Sequence, residues 1–430
     1  MEIRLKRSDF LGELIPMQGI VERKTTIPVL SHLLLNARDP RESNDGKLHL
    51  AATDLDVSLT SRCEAEIREG GAIAVQAKKL IEIIRSLSAP EVLLVQEEPR
   101  VLAIRAGSSR FKIHGLAADD FPTLPTVPAA AGSRIEIPFS DFRRMVAKIL
   151  FAVSAEESRF QLNGALFKVK DGALEIVATD GHRLALVEKR EDSLRKAEAA
   201  SATPPAISGD DSVLVPRKAL QELQRLEGEG ALEFRRGEHH LSFRLGQREL
   251  ICRILEGTFP DYERVIAKDN DKKVLFDRKA LAEAVQRAAL MTSDRARAVR
   301  LQFSPHQLVI SAVNADLGEA VEEVACEYDG PEFRLGINPD YLSQFLSAVD
   351  TDRVRLELKD ENTQCVGYPQ DPRTTEPADA DGNAGNAGNA EIPAEAPSSS
   401  TSPLTPDNAT SGASGSVNGR YLCVIMPMRI

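Results

Sequence analysis

Apolar residues recur at helical spacing in six stretches of the chain, and alternate with polar residues through most of the remainder. SDFRRMVAKIL (140–150) shows the helical pattern. Phe142, Met145, Val146, Ile149 and Leu150 form one apolar stripe, and Arg143, Arg144 and Lys148 fall on the opposite arc. SDFLGELI (8–15) and DRKALAEAVQRAAL (277–290) open in the same way, with Ser8 and Ser140 as natural N-caps. VQAKKLIEIIRSL (75–87), LVPRKALQELQRL (214–226) and LGINPDYLSQFLSAV (335–349) each read as a strand running into a helix.

The alternating segments repeat as well. LHLAATDLDVSL (48–59), LEIVATDGHRLAL (174–186) and LVISAVNADLGEA (308–320) each read as strand, Asx turn, strand. Each third of the chain then closes in short strands: EVLLV, RVLAI and RFKIHGL; ALEF, HLSFRL and ELICRIL; RVRLEL, TQCVG and YLCVIMPMRI. The pattern predicts an α+β protein of three repeated domains, 1–125, 135–266 and 273–430. PTLPTVPAAAGS (122–133) and AKDNDKK (267–273) serve as linkers. Residues 191–212 read as a polar loop. Residues 367–420, with GNAGNAGNA and PSSSTSP, read as a disordered low-complexity insert in a hairpin of the third repeat, where extra length costs little closure entropy.

Length and composition narrow the class. A chain of 430 residues, 42% hydrophobic and 28% charged, suits a multidomain globular protein. No apolar run reaches the ~18 residues of a membrane helix, and MEIRLKRSDF has no signal-peptide core. The five cysteines are scattered without a CxxC, which points to a reducing cytoplasm with no structural zinc and no cofactor. The net charge is −11, of which −5 falls in 367–420. Yet five of the six helices carry bases: Arg7; Lys78, Lys79 and Arg85; Arg143, Arg144 and Lys148; Arg217, Lys218 and Arg225; Arg278, Lys279 and Arg287. Solvation of helix surfaces accounts for any one of these. Their recurrence in an acidic chain favours a shared basic face.

TTIPVLSHLLL (25–35), AATDLDV (51–57), LNGALF (162–167), VATDGHRLAL (177–186), VPRKAL (215–220), FPDYERV (259–265) and YLCVIMPMRI (421–430) together resemble the bacterial DNA polymerase III β subunits, the sliding clamps. The resemblance spans the chain except 191–212 and 367–420. It implies the DNA clamp fold, with two chains joined head to tail as a six-domain ring around duplex DNA. It also implies a non-catalytic processivity factor that tethers the α subunit of the replicative polymerase, is loaded by a clamp loader and serves other repair and replication proteins.

The resemblance also implies sites. A partner-peptide pocket falls on Leu162, Thr179, Gly181, His182, Arg183, Leu184, Pro260, Arg264, Val265, Asn338, Tyr341, Met426, Pro427, Met428 and Arg429. Leucine, valine, proline and methionine suit an adaptable apolar floor, and the arginines suit a donor rim. Duplex DNA is expected against Lys24, Lys78, Arg143, Arg144, Lys148, Phe160, Gln161, Arg217 and Lys218, and the dimer interface at Phe111, Leu290 and Met291. Gln161 departs from the aromatic that related clamps often present, and Ala296, Asn362 and Gln364 alter the pocket edge. Two alternatives remain in the residues themselves: a hydrolase built on His182 and Asp180, and a clamp-like scaffold that does not encircle DNA. No nucleophile elbow, P-loop or metal-ligand cluster accompanies His182, and Asp54 occupies the matching turn without a histidine.

Overall fold

The repeat read from the sequence is the repeat of the fold. In a computed structural model describing residues 1–22, 26–38, 45–128, 134–170, 173–190, 212–293, 297–371 and 419–429, each third runs strand, helix, strands, helix, three strands. The first domain comprises β1 (Glu2–Lys6), α1 (Arg7–Met17), β2 (His32–Ala37), β3 (Lys47–Thr53), β4 (Val57–Glu64), β5 (Glu66–Glu69), β6 (Gly71–Gln76), α2 (Ala77–Ser86), β7 (Glu91–Glu98), β8 (Val101–Ala106) and β9 (Ser109–Ala117). The second holds β10 (Arg134–Pro138), α3 (Phe139–Ile149), β11 (Gly164–Lys170), β12 (Ala173–Thr179), β13 (Arg183–Arg190), β14 (Val213–Pro216), α4 (Arg217–Arg225), β15 (Ala231–Arg236), β16 (His240–Leu245) and β17 (Arg248–Arg253). The third holds β18 (Lys272–Asp277), α5 (Arg278–Ala289), β19 (Val299–Ser304), β20 (Gln307–Asn314), β21 (Gly318–Ala325), β22 (Phe333–Ile337), α6 (Pro339–Ala348), β23 (Arg353–Leu358), β24 (Cys365–Gln370) and β25 (Tyr421–Ile425).

The helices of each domain pack as a pair over antiparallel strands, α1 on α2, α3 on α4 and α5 on α6. Their apolar stripes are buried. In α3 these are Phe142, Met145, Val146 and Ile149, and Phe142 meets Phe167 and Phe243 at ring separations of 6.2 and 6.1 Å. Ser8 and Ser140, expected as N-caps, lie one residue inside their helices instead. The strand before each helix runs straight into it. The first helical N–H then donates to a backbone carbonyl of the same domain: Arg7 to Pro90 (2.8 Å), Phe139 to Gly230 (2.9 Å) and Arg278 to Asp352 (2.9 Å). A tertiary bond thus satisfies a donor that a side-chain cap would otherwise serve. Side-chain caps occur where the sequence offers Asp277 and Asn338, which accept from the N–H groups of Ala280 and Asp340.

The domains are joined by strand pairing. β17 pairs with β4 of the first domain, Cys252 opposite Val57, and fuses strands of both into one sheet. β25 pairs with β13 of the second domain, Ile425 opposite Arg183, and lies between β13 and β24. The hairpin expected around the insert is therefore present. Its first strand continues to Gln370, so the chain leaves the sheet later than the expected 367. Pro369 is tolerated because beyond Gly367 that strand pairs, among the described residues, on one side only, with β23. The expected disorder of 372–418, and most of the 191–212 loop, lie outside the described residues.

Candidate functional site

The ATD motifs are turn-builders. Asp180 Oδ1 accepts from the N–H groups of His182 (2.9 Å) and Arg183 (3.1 Å). Thr179 Oγ1 accepts from Gly181 N–H (3.2 Å) and donates to Arg183 O (2.6 Å). Gly181 has φ +90°, a left-handed conformation for which glycine carries no Cβ penalty. The turn sets Arg183 beneath the third domain. Its Nε lies 3.0 Å from Asp180 Oδ2, its guanidinium 4.4 Å from the Tyr341 ring centre and 5.3 Å from that of Phe151, and it donates to Gln344. Asp180 is thereby fully engaged by Arg183 and the turn, and no bond runs from its carboxylate to the His182 ring. That ring stacks on Tyr341 at 6.4 Å. Burial, aided by Asp180, holds the Tyr341 hydroxyl above its ordinary pKa.

Beside this turn the second-to-third domain junction opens as a small apolar cavity of about 110 Å³. Leu162, Thr179, Gly181, Arg183 and Leu184 line one side. Pro260, Val265 and Met426, together with Tyr262 and Val424, line the other. Eight of these were singled out from the sequence, and Tyr262 and Val424 were not. Tyr262 sits in the FPDY stretch, where a 3₁₀ turn (Tyr262–Arg264) swings it inward to donate to Glu175. Burial and that carboxylate push its hydroxyl pKa well up. Val424 was hidden by alternation: as a β25 residue opposite Leu184, it shares that residue's face.

The remaining residues expected in the pocket lie around it. His182 O accepts from Met426 N–H at 2.9 Å, and Met428 N–H donates to Gly336 O at 2.8 Å, so the tail 426–429 bridges the second and third domains. Asn338 caps α6, and Tyr341 stands one turn further on. Met428 and Arg429 line a neighbouring cavity rather than this one. Arg264 is exposed and pairs with Asp261 at 2.7 Å.

The basic face is smaller than the helix pattern predicts. Lys148 departs most: it is only 8% exposed, packed where α3 meets α6, with Asp350 at 2.8 Å and the Tyr421 ring at 5.2 Å. The third domain covers the arc that the second domain leaves open, so Lys148 is no open DNA-facing group. Lys218 pairs with Asp54 and donates to Ile20 O (3.1 Å), Arg217 donates to Val153 O (2.9 Å), and Arg144 pairs with Asp141. Lys78 and Arg143 are exposed and have no ion pair among the described residues. Phe160 is exposed and Gln161 half-buried, both in the 3₁₀ segment Glu157–Leu162. Lys24 and Ala296 lie outside the described residues.

Two stretches of strand stay open on one side among the described residues: β9 pairs with β8 over Ser109–His114 and turns to β6 only at Gly115–Ala117, which leaves its first part free on that side, and β21 is the edge of its sheet. β9 carries Phe111, and β21 carries Val321 beside Leu317, Val313 and the α5 end with Leu290 (74% exposed) and half-buried Met291. Among the described strands, β21 pairs on one side only, with β20.

Family models match the three domains. The N-terminal, central and C-terminal domains of the DNA polymerase III β subunit match residues 1–125, 136–261 and 263–375. The chain belongs to the bacterial sliding clamp family. The Pseudomonas putida β sliding clamp is 36% identical over 370 residues, 85% of this chain and 95% of the relative. The clamp structure from Pseudomonas aeruginosa aligns at a TM-score of 0.79 with 33% identity, covering both chains fully. That of the Bartonella birtlesii clamp, bound to griselimycin, aligns over both full chains at 0.80 with 29% identity. The chain thus has the DNA clamp fold and the family's non-catalytic processivity role. No described helix is long and apolar enough to cross a membrane.

Proposed function

We propose that two copies of this chain close head to tail into a six-domain ring that encircles duplex DNA and tethers replication proteins in the cytoplasm. The observation that carries this is the repeated junction. Each internal junction pairs the last strand of one domain with the strand after the Asx turn of the domain before it: β17 with β4, and β25 with β13. The same rule leaves β9 of one chain to meet β21 of another. Asn314 Oδ1 accepts from Asp316 N–H at 2.9 Å as Asp54 does from Asp56, so Leu317 corresponds to Val57 and Glu319 to Leu59. The rule then sets Ile113 opposite Leu317 and Phe111 opposite Glu319, with Leu290 and Met291 flanking the contact. The exposed apolar residues of both edges are what such a junction would cover.

The modules are 1–125, 135–266 and 273–430. DNA contact falls to exposed helix bases such as Lys78 and Arg143, to Lys24, and to the segment bearing Phe160 and Gln161. These contacts are sequence-independent and salt-sensitive, because they meet phosphate rather than base edges. The pocket at Met426 would take a short partner peptide with a Leu/Phe anchor, from the polymerase α subunit, the clamp loader or repair proteins. Tethering raises the polymerase's effective concentration at the primer end.

The test is topological. The protein is loaded onto nicked circular DNA with a bacterial clamp loader and ATP, and the DNA is then linearised. Retention on circles and loss on cutting is the expected result. Retention after cutting would mean ordinary DNA binding and would overturn the ring.

A further inference from the structure

Beyond the tail, a second cavity of about 500 Å³ opens on the third domain. It differs in chemistry from the apolar pocket. Arg300, Arg334 and Arg429 converge on it, with Glu361 as its single lining carboxylate. Arg300 on β19 lies opposite Gly336 and Arg334 is two residues before Gly336 on β22, so both side chains share one face of the sheet. All three arginines are exposed and have no ion pair among the described residues. The wall bearing Glu361 is fixed: Asp360 Oδ1 accepts from Asn362 N–H, Thr363 N–H and Thr363 Oγ1, each at 2.9 Å.

The two cavities are neighbours. Met426 lines the apolar one and Met428 the arginine one, and the backbone between them is pinned at both ends, to His182 O and Gly336 O. Two residues of extended chain span about 7 Å. A peptide anchored at Met426 therefore reaches the arginines within a few residues.

We infer that Arg300, Arg334 and Arg429 form a second subsite that receives acidic residues flanking the apolar anchor of a partner peptide. The inference rests on the pocket reading above and adds the chemical class of the flanking sequence. Carboxylates complement the guanidinium groups, and Glu361 disfavours an acid placed against its own wall, which fixes where the acids sit. Exposed pairs of this kind are individually weak and screened by salt, so three together give about a tenfold gain at low ionic strength.

The test compares synthetic peptides on the full chain by fluorescence anisotropy. One carries a Leu/Phe anchor with three aspartates on one flank, a second has them on the other flank, and a third has asparagines throughout. One acidic peptide should bind about tenfold tighter than the neutral one. The gain should vanish in R300A/R334A and at high salt, while the neutral peptide keeps its affinity for that variant. Equal binding of all three peptides to the unaltered protein overturns the subsite and leaves the pocket standing. Failure of every peptide to bind overturns the pocket, and the subsite with it. If a single-stranded oligodeoxynucleotide loses affinity in R300A/R334A while the peptides do not, the arginines serve phosphate and the inference is wrong.

Discussion

The two internal junctions share a backbone and differ in side chains. At both, a Thr-Asp turn binds its own N–H groups. Thr53 Oγ1 accepts from Leu55 N–H at 3.0 Å as Thr179 does from Gly181, and Asp54 accepts from Asp56 and Val57 as Asp180 does from His182 and Arg183. At both, the chain leaving the pairing strand donates back to the turn, Arg253 N–H to Asp56 O and Met426 N–H to His182 O. The cross-strand pairs then diverge. Val177 and Leu186 face each other at the second junction, where the first has Ala51 and Thr60; Leu184 stands where the first has Ser58, and Leu214 where it has Ala74. Arg183 is replaced by Val57, and the carboxylate it would hold, that of Asp54, is taken by Lys218. The first junction therefore opens on a groove of about 410 Å³ with Asn36, His49, Thr60, Arg62 and Gln247 among its lining residues, whereas the second gathers an apolar cluster of Leu184, Leu186, Tyr262 and Val424. Domain joining resides in the backbone register, and the apolar character of the second junction in a handful of side chains laid over it.

Removing the tail should break the comparison most sharply. Deleting Met426–Ile430 leaves β25 and its pairing with β13 intact but takes away one wall of the pocket. Anchor-peptide affinity should fall at least a hundredfold, with the dimer mass by light scattering unchanged. Unaltered affinity would move the pocket elsewhere. Copying the first junction into the second is milder. In Leu184→Ser the new hydroxyl can bond Thr179, as Ser58 bonds Thr53 at 2.8 Å, but a fully buried leucine is lost. Peptide affinity should drop about tenfold and stability by about 3 kcal/mol in denaturant titrations.

The smallest effect lies beneath the junction. Asp141 opens α3 and is held by Lys189 and Arg144. Burial alone would raise its pKa, but those two hydrogen bonds outweigh it and leave the carboxyl below its ordinary 3.8. Its counterpart Asp9 in α1 has Cys63 at the place of Lys189, and no cation pairs with it among the described residues. A depressed carboxylate pKa stabilises the fold above 3.8 and loses that contribution as the pH falls through the folded value. Asp141→Asn should therefore cost about 1–2 kcal/mol at pH 7, with the difference from the unaltered protein closing below pH 3.8. Asp9→Asn, which removes no ion pair among the described residues, should cost little at pH 7. Thermal melts of both variants across that range provide the check.

The repeat, all six helices and the insert's hairpin were legible in the sequence, because each rests on local periodicity and turn chemistry. What escaped depended on other domains. Lys148 reads as solvent-facing on its own helix, but Asp350 and Tyr421, some 200 residues and more along the chain, cover it. Ser8 and Ser140 look like caps until Pro90 and Gly230 supply the acceptors. Eight of the residues carried by the family motifs line the cavity at Met426, Met428 and Arg429 line its neighbour, and Tyr262 needed a 3₁₀ turn, and Val424 a strand register, that no single-segment pattern reveals.

The position of β25 also governs how the molecule is made. This strand is the seam between β13 and β24, and it is specified by residues 421–425. On the ribosome the first domain and most of the second can pair their strands as they emerge. Until residue 425 has cleared the exit tunnel, however, β13 and β24 each present an unpaired edge, a liability for misassociation. The insert lengthens that interval by the time needed to translate about fifty further residues. Neither the seam nor the apolar cavity beside it can form before that interval ends, so the joining of the second and third domains waits on the translation of residues 421–425.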